Sequence, residues 1–581
     1  MTLVAPHPIS MVSRPKQVLS RGALALIVGI PSFVVVLMLA VTVWLGFADK
    51  MNEFPGVLSL NNYRRLFADP QILGALINTV GFTITTVITA LAFGIISAWL
   101  VERTDMPGKK IVYSLMTIGL LLPTFFLAMG WLFFMHPRIG MMNTWMRELF
   151  GIENAFNIAS VTGMGWVEGL GLSSLVFVMM SPVLRALNPA LEEAASVHGL
   201  RGAARFFRIT LPLTWPGLAG AAIYIGVIAI ATFEVPAIIG MGSKIFTFST
   251  IVYLNVSPDQ GVPNYGVVGA LSLLMIVLSS GLSWWYFSII KLSHKYEVVA
   301  GKQYRPKLVE LGHWVWLAWF FLGSFFFFSK LLPFLIMIWA SVLPYFQPLS
   351  IHAFSQMTWD NFRKLPAALM WRGAENSLLL MVFVPTVSLL IGLFFSWVVV
   401  RSRARFRFLL DWVAFLPHAV PNIIFAVSGM IIGLFLAPKW LPLYGTIYII
   451  AIVYIVIRIS LTTRVLNSAI VQVHRELEEV SRVSGLTRMT TARKVLIPLL
   501  APALINLWMW NALLTFRELT VAAFLVTHSN VTLPVVVWGI WQSGGLSQAA
   551  AMSLVFVMMF LPIVVIYWFV AARSAGVRHT A

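Results

Sequence analysis

Apolar stretches recur along this chain of 581 residues at about 22–47, 72–101, 110–135, 162–187, 212–239 and 264–291, and again at 314–344, 374–400, 409–436, 444–466, 498–526 and 549–572. Each runs to about 20 to 30 residues, enough for a helix to cross the roughly 30 Å hydrocarbon layer of a bilayer. The longest polar segment between mid-chain stretches is Lys291 to His313, KLSHKYEVVAGKQYRPKLVELGH, and it separates two sets of six. The pattern predicts an all-α polytopic membrane protein with about 12 transmembrane helices. Its expected parts are an N-terminal tail at 1–21, a first half at 22–291, a linker at 292–313, a second half at 314–572 and a tail at 573–581. An even number of spans per half returns the chain to the side it left, so the halves form a parallel repeat and both termini are expected in the cytoplasm. The first apolar run exceeds the ~7–15-residue core of a signal peptide and is read as a retained span.

Between the fourth and fifth stretches lies a polar island, Glu193 to Pro212, EAASVHGLRGAARFFRITLP. Leu191 to His198 reads as a short helix with Glu192 and Glu193 in its first turn, where carboxylates suit the positive end of the helix dipole. Gly199 can take the left-handed conformation that ends a helix, so the chain is expected to turn there into a basic segment through Arg201, Arg205 and Arg208. Pro212 and Pro216 then fall in the opening turns of the next span, where a missing amide costs little. The loop 191–212 has a second copy at 477–498. Glu479 to Pro498, EVSRVSGLTRMTTARKVLIP, repeats the glutamate, glycine and proline at one offset, since 479 − 193 = 485 − 199 = 498 − 212 = 286. Other anchors recur at offsets between 294 and 299: Asn62-Tyr63-Arg64 as Asn361-Phe362-Arg363, Asn78-Thr79 as Asn376-Ser377, Arg103 as Arg401, and Pro123 as Pro417. A spaced pattern that returns at a fixed offset marks an internal duplication.

The first island resembles the E-A-A-x3-G-x9-I-x-L-P loop of permease subunits of binding-protein-dependent ABC importers, matching at Glu193, Ala194, Ala195, Gly199, Ile209, Leu211 and Pro212. The second departs from it with Val480 and Ser481 for the alanines and Val495 and Ile497 at the later apolar positions. The resemblance implies a type I importer permease fold in which each loop is a coupling helix seated in a cleft of a separate ATPase. The residues so implicated are Glu192, Glu193, Ala194, Ala195, Gly199 and Pro212 in one copy, and Glu478, Glu479, Gly485 and Pro498 in the other. It further implies two copies of that ATPase, carrying the ATP and Mg, a periplasmic solute-binding protein, a place in the bacterial inner membrane, and no cofactor on this chain. Permeases fused into one chain of this size look like the ferric-iron type, whose relatives also carry thiamine, aminoethylphosphonate or polyamines.

Composition agrees with the membrane reading: 59% of residues are hydrophobic, 10% are charged and the mean hydropathy is +0.88. The net charge of +19 does not mark a nucleic-acid partner, because the span pattern places most of the 40 Lys and Arg in the cytoplasmic segments, where they orient the chain. The chain has no cysteine, so neither disulfides nor thiolate metal sites hold it. It has no Gly-x-x-x-x-Gly-Lys-[Ser/Thr] phosphate loop; Met106-Pro107-Gly108-Lys109-Lys110 fails on spacing and on the hydroxyl. Energy for transport must therefore come from a partner. An ion-gradient-driven secondary transporter is the alternative from another class, since parallel six-span halves also describe it, but it leaves the paired loops unexplained. A channel or an assembly scaffold leaves them unexplained too.

Charges within apolar spans are the remaining candidates. Glu234 in ATFEVP and Arg517-Glu518 in LTFREL lie in the fifth and eleventh stretches, where insertion costs about 2.5–3.5 kcal/mol each, so they should face the bundle interior or a wet cavity. They are pathway candidates, and equally a structural set in which Arg517 neutralises Glu234 or Glu518. Lys330, after a phenylalanine-rich run, is expected to snorkel outward, and Arg458 approaches the inner end of its span. His136 and His418 lack partners at metal-ligand spacing and read as packing residues. The Pro and Gly of GLLLPTF and FLPHAVPN can open carbonyls towards a pathway, although a simple kink is the commoner meaning.

Overall fold

The computed structural model describes residues 21–49, 56–187, 194–195, 197–200, 202–257, 263–293, 308–402, 405–437 and 441–576. All twelve expected stretches are helical within that range. Nine are single helices: spans 1 (Arg21–Phe47), 2 (Pro70–Arg103), 4 (Val161–Ala186), 6 (Tyr265–Ser293), 7 (Gly312–Ser341), 8 (Ala367–Arg401), 10 (Ile447–Gln472), 11 (Ala492–Phe516) and 12 (Leu546–Gly576). Three are bent: span 3 by 95° between Lys109–Gly119 and Thr124–Met135, span 5 by 71° at Thr214, and span 9 by 101° between Arg407–Ala419 and Asn422–Leu436.

The breaks in spans 3 and 9 follow from proline chemistry. Pro123 and Pro421 stand at the helix starts Thr124 and Asn422, each with extended backbone (ψ 130° and 133°). A proline disfavours the helical conformation of the residue before it and offers no amide, so the preceding helix stops. Pro421, and not Pro417, is thus the counterpart of Pro123: 421 − 123 = 298, the same offset as 376 − 78 and 401 − 103, whereas Pro417 lies inside the helix Arg407–Ala419.

Spans 5 and 11 are shorter than hydropathy suggests. Their helices end at Ala231 and Phe516, and the apolar sequence beyond folds into short pieces, Pro236–Ser243 with Phe248–Val256 (bent by 75°) in the first half and Thr520–Leu525 with Leu533–Gln542 in the second. At 1.5 Å per residue none of these pieces reaches across roughly 30 Å of hydrocarbon. Glu234, Arg517 and Glu518 therefore sit at helix ends and not within continuous spans.

Helices in lipid gain nothing from burying apolar surface against one another, so close packing and polar bonds must hold them. Span 2 meets span 4 where a Cβ on Gly94 would come within 2.5 Å of Val176, and span 8 meets span 10 where a Cβ on Gly392 would come within 2.5 Å of Thr462. These are one contact built twice, since 392 − 94 = 298 and 462 − 176 = 286. The halves are interlocked: span 1 packs on the second arm of span 9, with Thr42 and Ser428 hydroxyls 2.5 Å apart, and span 7 packs on the second arm of span 3. The linker's end is pinned to the first half. Val309 donates its amide to the Arg103 carbonyl (2.8 Å), and Leu311 donates to the Asp105 carboxylate (2.9 Å).

The recurring asparagines do the same work in each half. Asn62 donates to the carbonyls of Gly46 (3.3 Å) and Ala48 (2.8 Å) where span 1 ends, and Asn361 donates to those of Ser341 (2.9 Å) and Leu343 (2.6 Å) where span 7 ends. Asn78 donates to the Phe246 carbonyl and Asn376 to that of Val531, while Thr79 and Ser377 accept from the amides of Phe248 and Leu533. Asn361→Ala leaves two buried carbonyls unpaired. It is expected to destabilise the chain by about 1–3 kcal/mol, read as a lowered midpoint in a thermal-unfolding scan in detergent, with Asn62→Ala matching it.

Candidate functional site

Where they are described, the two polar islands share one turn geometry. Gly199 has φ +84° and Gly485 φ +77°, the left-handed conformation expected of both. In each, the amide of the following leucine reaches back five residues, Leu200 to Ala195 and Leu486 to Ser481, both at 3.0 Å, which satisfies a carbonyl that the ended helix leaves open. Among the described residues, and apart from the glycine's own chain neighbours, nothing lies within 4 Å of a Cβ placed on either glycine, so the backbone conformation and not crowding demands the residue. Beyond the turn, each copy carries a five-residue π-turn, Phe206–Thr210 and Ala492–Leu496, just before Pro212 and Pro498. Leu211 donates to Phe206 and Ile497 to Ala492, a wider loop that makes room for the proline ring one residue later.

Glu192, Glu193 and Arg201 lie outside the described residues; Ala194 is exposed and Ala195 buried. In the second copy Arg475–Val483 is helical and the two glutamates part. Glu479 is exposed, while Glu478 turns back to the Arg401 guanidinium at 2.9 Å. Sequence reading also passed over Val197 and Val483, which are 86% and 90% exposed at equivalent positions, 483 − 197 = 286. A valine held out from a polar elbow in both copies could be found only by asking which repeated positions the helix turns outward.

Deep in the bundle the charged residues complete helix ends. Arg517 donates to the carbonyls of Leu120 (2.8 Å) and Leu122 (3.0 Å), at the break in span 3. Glu234 accepts from the Phe125 amide (3.1 Å) and the Thr124 hydroxyl across the same break. A cation thus meets the carbonyl end of one arm and an anion the amide end of the other, as helix dipoles favour. Glu518 accepts from the Val521 amide (3.0 Å) at the start of Thr520–Leu525, and Arg458 donates to the Leu514 carbonyl (3.0 Å) near the end of span 11. Among the described residues, no ion pair within 4.0 Å joins Arg517 to Glu234 or Glu518; the arginine binds backbone.

Two further charges have no helix end to complete. Lys330 does not snorkel: it is 9% exposed, in the π-turn Phe327–Leu331, with its Cε 3.2 Å from where a Cβ on Gly119 would be. Glycine there leaves the room that the long side chain fills. Glu168, 2% exposed on span 4, accepts from the Thr232 hydroxyl at 3.1 Å through one oxygen. Its other oxygen and the Lys330 ammonium have no hydrogen-bond partner among the described residues. Glu168 was open to detection as a carboxylate inside an apolar span, hidden only by its glycine-rich surroundings.

The histidines pack. His136 Nδ1 accepts from the Arg138 and Ile139 amides in a turn after span 3, where burial and the neighbouring Arg138 charge lower its pKa, and His418 stacks on Tyr224 at 5.4 Å. No group of three or more His, Asp or Glu stands at metal-binding geometry among the described residues.

Residues 388–579 match the family described as binding-protein-dependent transport system inner membrane component. The ferric transport system permease protein FbpB of Actinobacillus pleuropneumoniae is 22% identical over 84% of this chain and 69% of its own length. The Fe(3+)-transport system permease protein FbpB 2 of Haemophilus influenzae is 21% identical over 81% of this chain and 84% of its own. A chain from a crystal structure of a bacterial ABC transporter involved in import of the acidic polysaccharide alginate superposes on 48% of this chain and 99% of its own, with 15% identity and a TM-score of 0.33. The family match lies in the second half and the likeness to ferric permeases runs through both halves, so the comparisons support a permease of the binding-protein-dependent ABC importer type in fused two-half form.

Proposed function

We propose that this permease moves ferric iron, delivered by a periplasmic binding protein, through a pathway between its two halves, driven by two ATPase copies seated on the two elbows. The observation that carries the reading is the duplicated elbow itself, with its glycine turn and outward valine in both copies. Two knobs built on the same turn fit two copies of one partner, and an apolar side chain held out among polar ones suits a protein cleft. ATP and Mg belong to that partner. Ferric iron is supported by the names of the relatives that align over four fifths of the chain. The parallel halves and the basic linker support cytoplasmic termini in the bacterial inner membrane.

Nucleotide binding would draw the ATPases together and rock the halves about their interlocked spans, which requires two states with different nucleotide affinity. The cargo route is proposed to run past the break in span 3. Glu234, Arg517 and Glu518 shape its wall by holding helix ends, and Glu168 and Lys330 offer it an open carboxylate oxygen and an ammonium.

Glu193→Ala with Glu479→Ala is expected to release the ATPase on co-purification while the chain stays inserted; full retention with normal uptake would refute the seat. Gly485→Ala costs about 1–2 kcal/mol in the left-handed conformation and should weaken ATPase capture, whereas Gly485→Asn, which tolerates that conformation, should keep most of it. Glu168→Gln and Lys330→Met should each lower uptake in reconstituted vesicles and leave thermal stability near wild type. Arg517→Met should instead lower the unfolding midpoint, since it strands two carbonyls at about 1–3 kcal/mol each.

A further inference from the structure

The glutamates at 478 and 479 face opposite ways, and the inner one is held by a built contact. Arg401, the last residue of span 8, is 7% exposed at its side chain and lies 2.9 Å from Glu478, itself 18% exposed. The same guanidinium donates to the carbonyls of Ile470 (3.0 Å) and Val473 (2.5 Å), where span 10 ends. Arg475, at the start of the elbow helix, donates in turn to the Val400 carbonyl (3.1 Å). One arginine therefore ties three elements together: the end of span 8, the end of span 10 and the elbow helix.

The first half has a buried arginine at the matching position. Arg103 ends span 2 and is 1% exposed, among the largest fully buried side chains of the protein. Arg103 precedes Arg401 by 298 residues, and Glu192, which lies outside the described residues, precedes Glu478 by 286. Lysine and arginine are costly to bury, and a guanidinium kept at the end of the second span in both halves needs a reason beyond orienting the chain.

We propose that Arg401 is a positioning residue that transmits movement of the elbow to the spans, so that the paired glutamates of the second elbow divide the work. Glu479 meets the ATPase, and Glu478 through Arg401 pulls on spans 8 and 10. A rigid ion pair backed by two carbonyl bonds carries displacement where a lone surface contact would slip. This inference rests on the proposed seat of the ATPase on the elbows.

The test uses the whole transporter, with the co-purifying ATPase, in lipid discs and vesicles, and compares Arg401→Ala, Glu478→Gln, their double variant, Arg401→Lys and Glu479→Ala. Arg401→Ala and Glu478→Gln are expected to retain the ATPase but lower cargo moved per ATP hydrolysed by about tenfold. The double variant should be no worse than either single one, because both break the same pair. Arg401→Lys keeps the charge and should recover part of the loss, while Glu479→Ala should release the ATPase. A ratio of uptake to hydrolysis does not change when the amount of folded chain changes, which separates transmission from mere stability. Release of the ATPase by Glu478→Gln, or unchanged coupling in Arg401→Ala, would overturn the division of work. Absence of any ATPase from the wild-type preparation would instead overturn the importer reading and this inference with it.

Discussion

Hydrocarbon offers a peptide group no hydrogen bond, so every helix that stops inside a bilayer needs a partner for its open amides and carbonyls. This chain stops helices there repeatedly, after Gly119, Ala231 and Phe516, and most of its intramembrane charges are placed to meet the consequence. Arg517 and Arg458 bind carbonyl ends, and Glu234 and Glu518 bind amide ends. The insertion cost of each charge is offset by backbone groups that would otherwise be stranded. Because Arg517 belongs to the second half and the break it completes belongs to the first, the same bonds tie the halves across their interface.

Around that centre the duplication is physical as well as sequential. Asn62 and Asn361 close the ends of spans 1 and 7, Gly94 and Gly392 let spans 2 and 8 approach their neighbours, and both elbows end on a left-handed glycine followed by a π-turn and a proline. The halves differ at the breaks. Span 3 is completed by charges from both halves, while its counterpart in span 9 packs against Thr42 of span 1 through Ser428. The two turns thus match where the interior they flank does not.

Much of this was legible in the sequence. The twelve segments, the glycine turn and the repeated asparagines could be read because each follows from a local rule: span length, left-handed backbone, or a side chain beside a span end. The breaks were harder. Apolar residues look alike in a straight span, a bent one and a short helix that turns back, so hydropathy carries spans 5 and 11 on through 232–239 and 517–526, and it pairs Pro417 with Pro123 although Pro421 starts the broken arm. The direction of Lys330 depended on a glycine more than two hundred residues away, and Glu168 was hidden among glycines that pack span 4 against span 2. Orientation of that kind arises only when distant spans meet.

The most direct measurement places the purified chain, with whatever ATPase accompanies it from native membranes, in lipid discs and follows ATP hydrolysis as a ferric-loaded periplasmic binding protein is added. The account predicts hydrolysis that rises with the loaded protein, does not rise with the empty one, and in vesicles accompanies iron uptake. Recovery of the chain alone, with uptake that follows an ion gradient and needs no ATP, would contradict it.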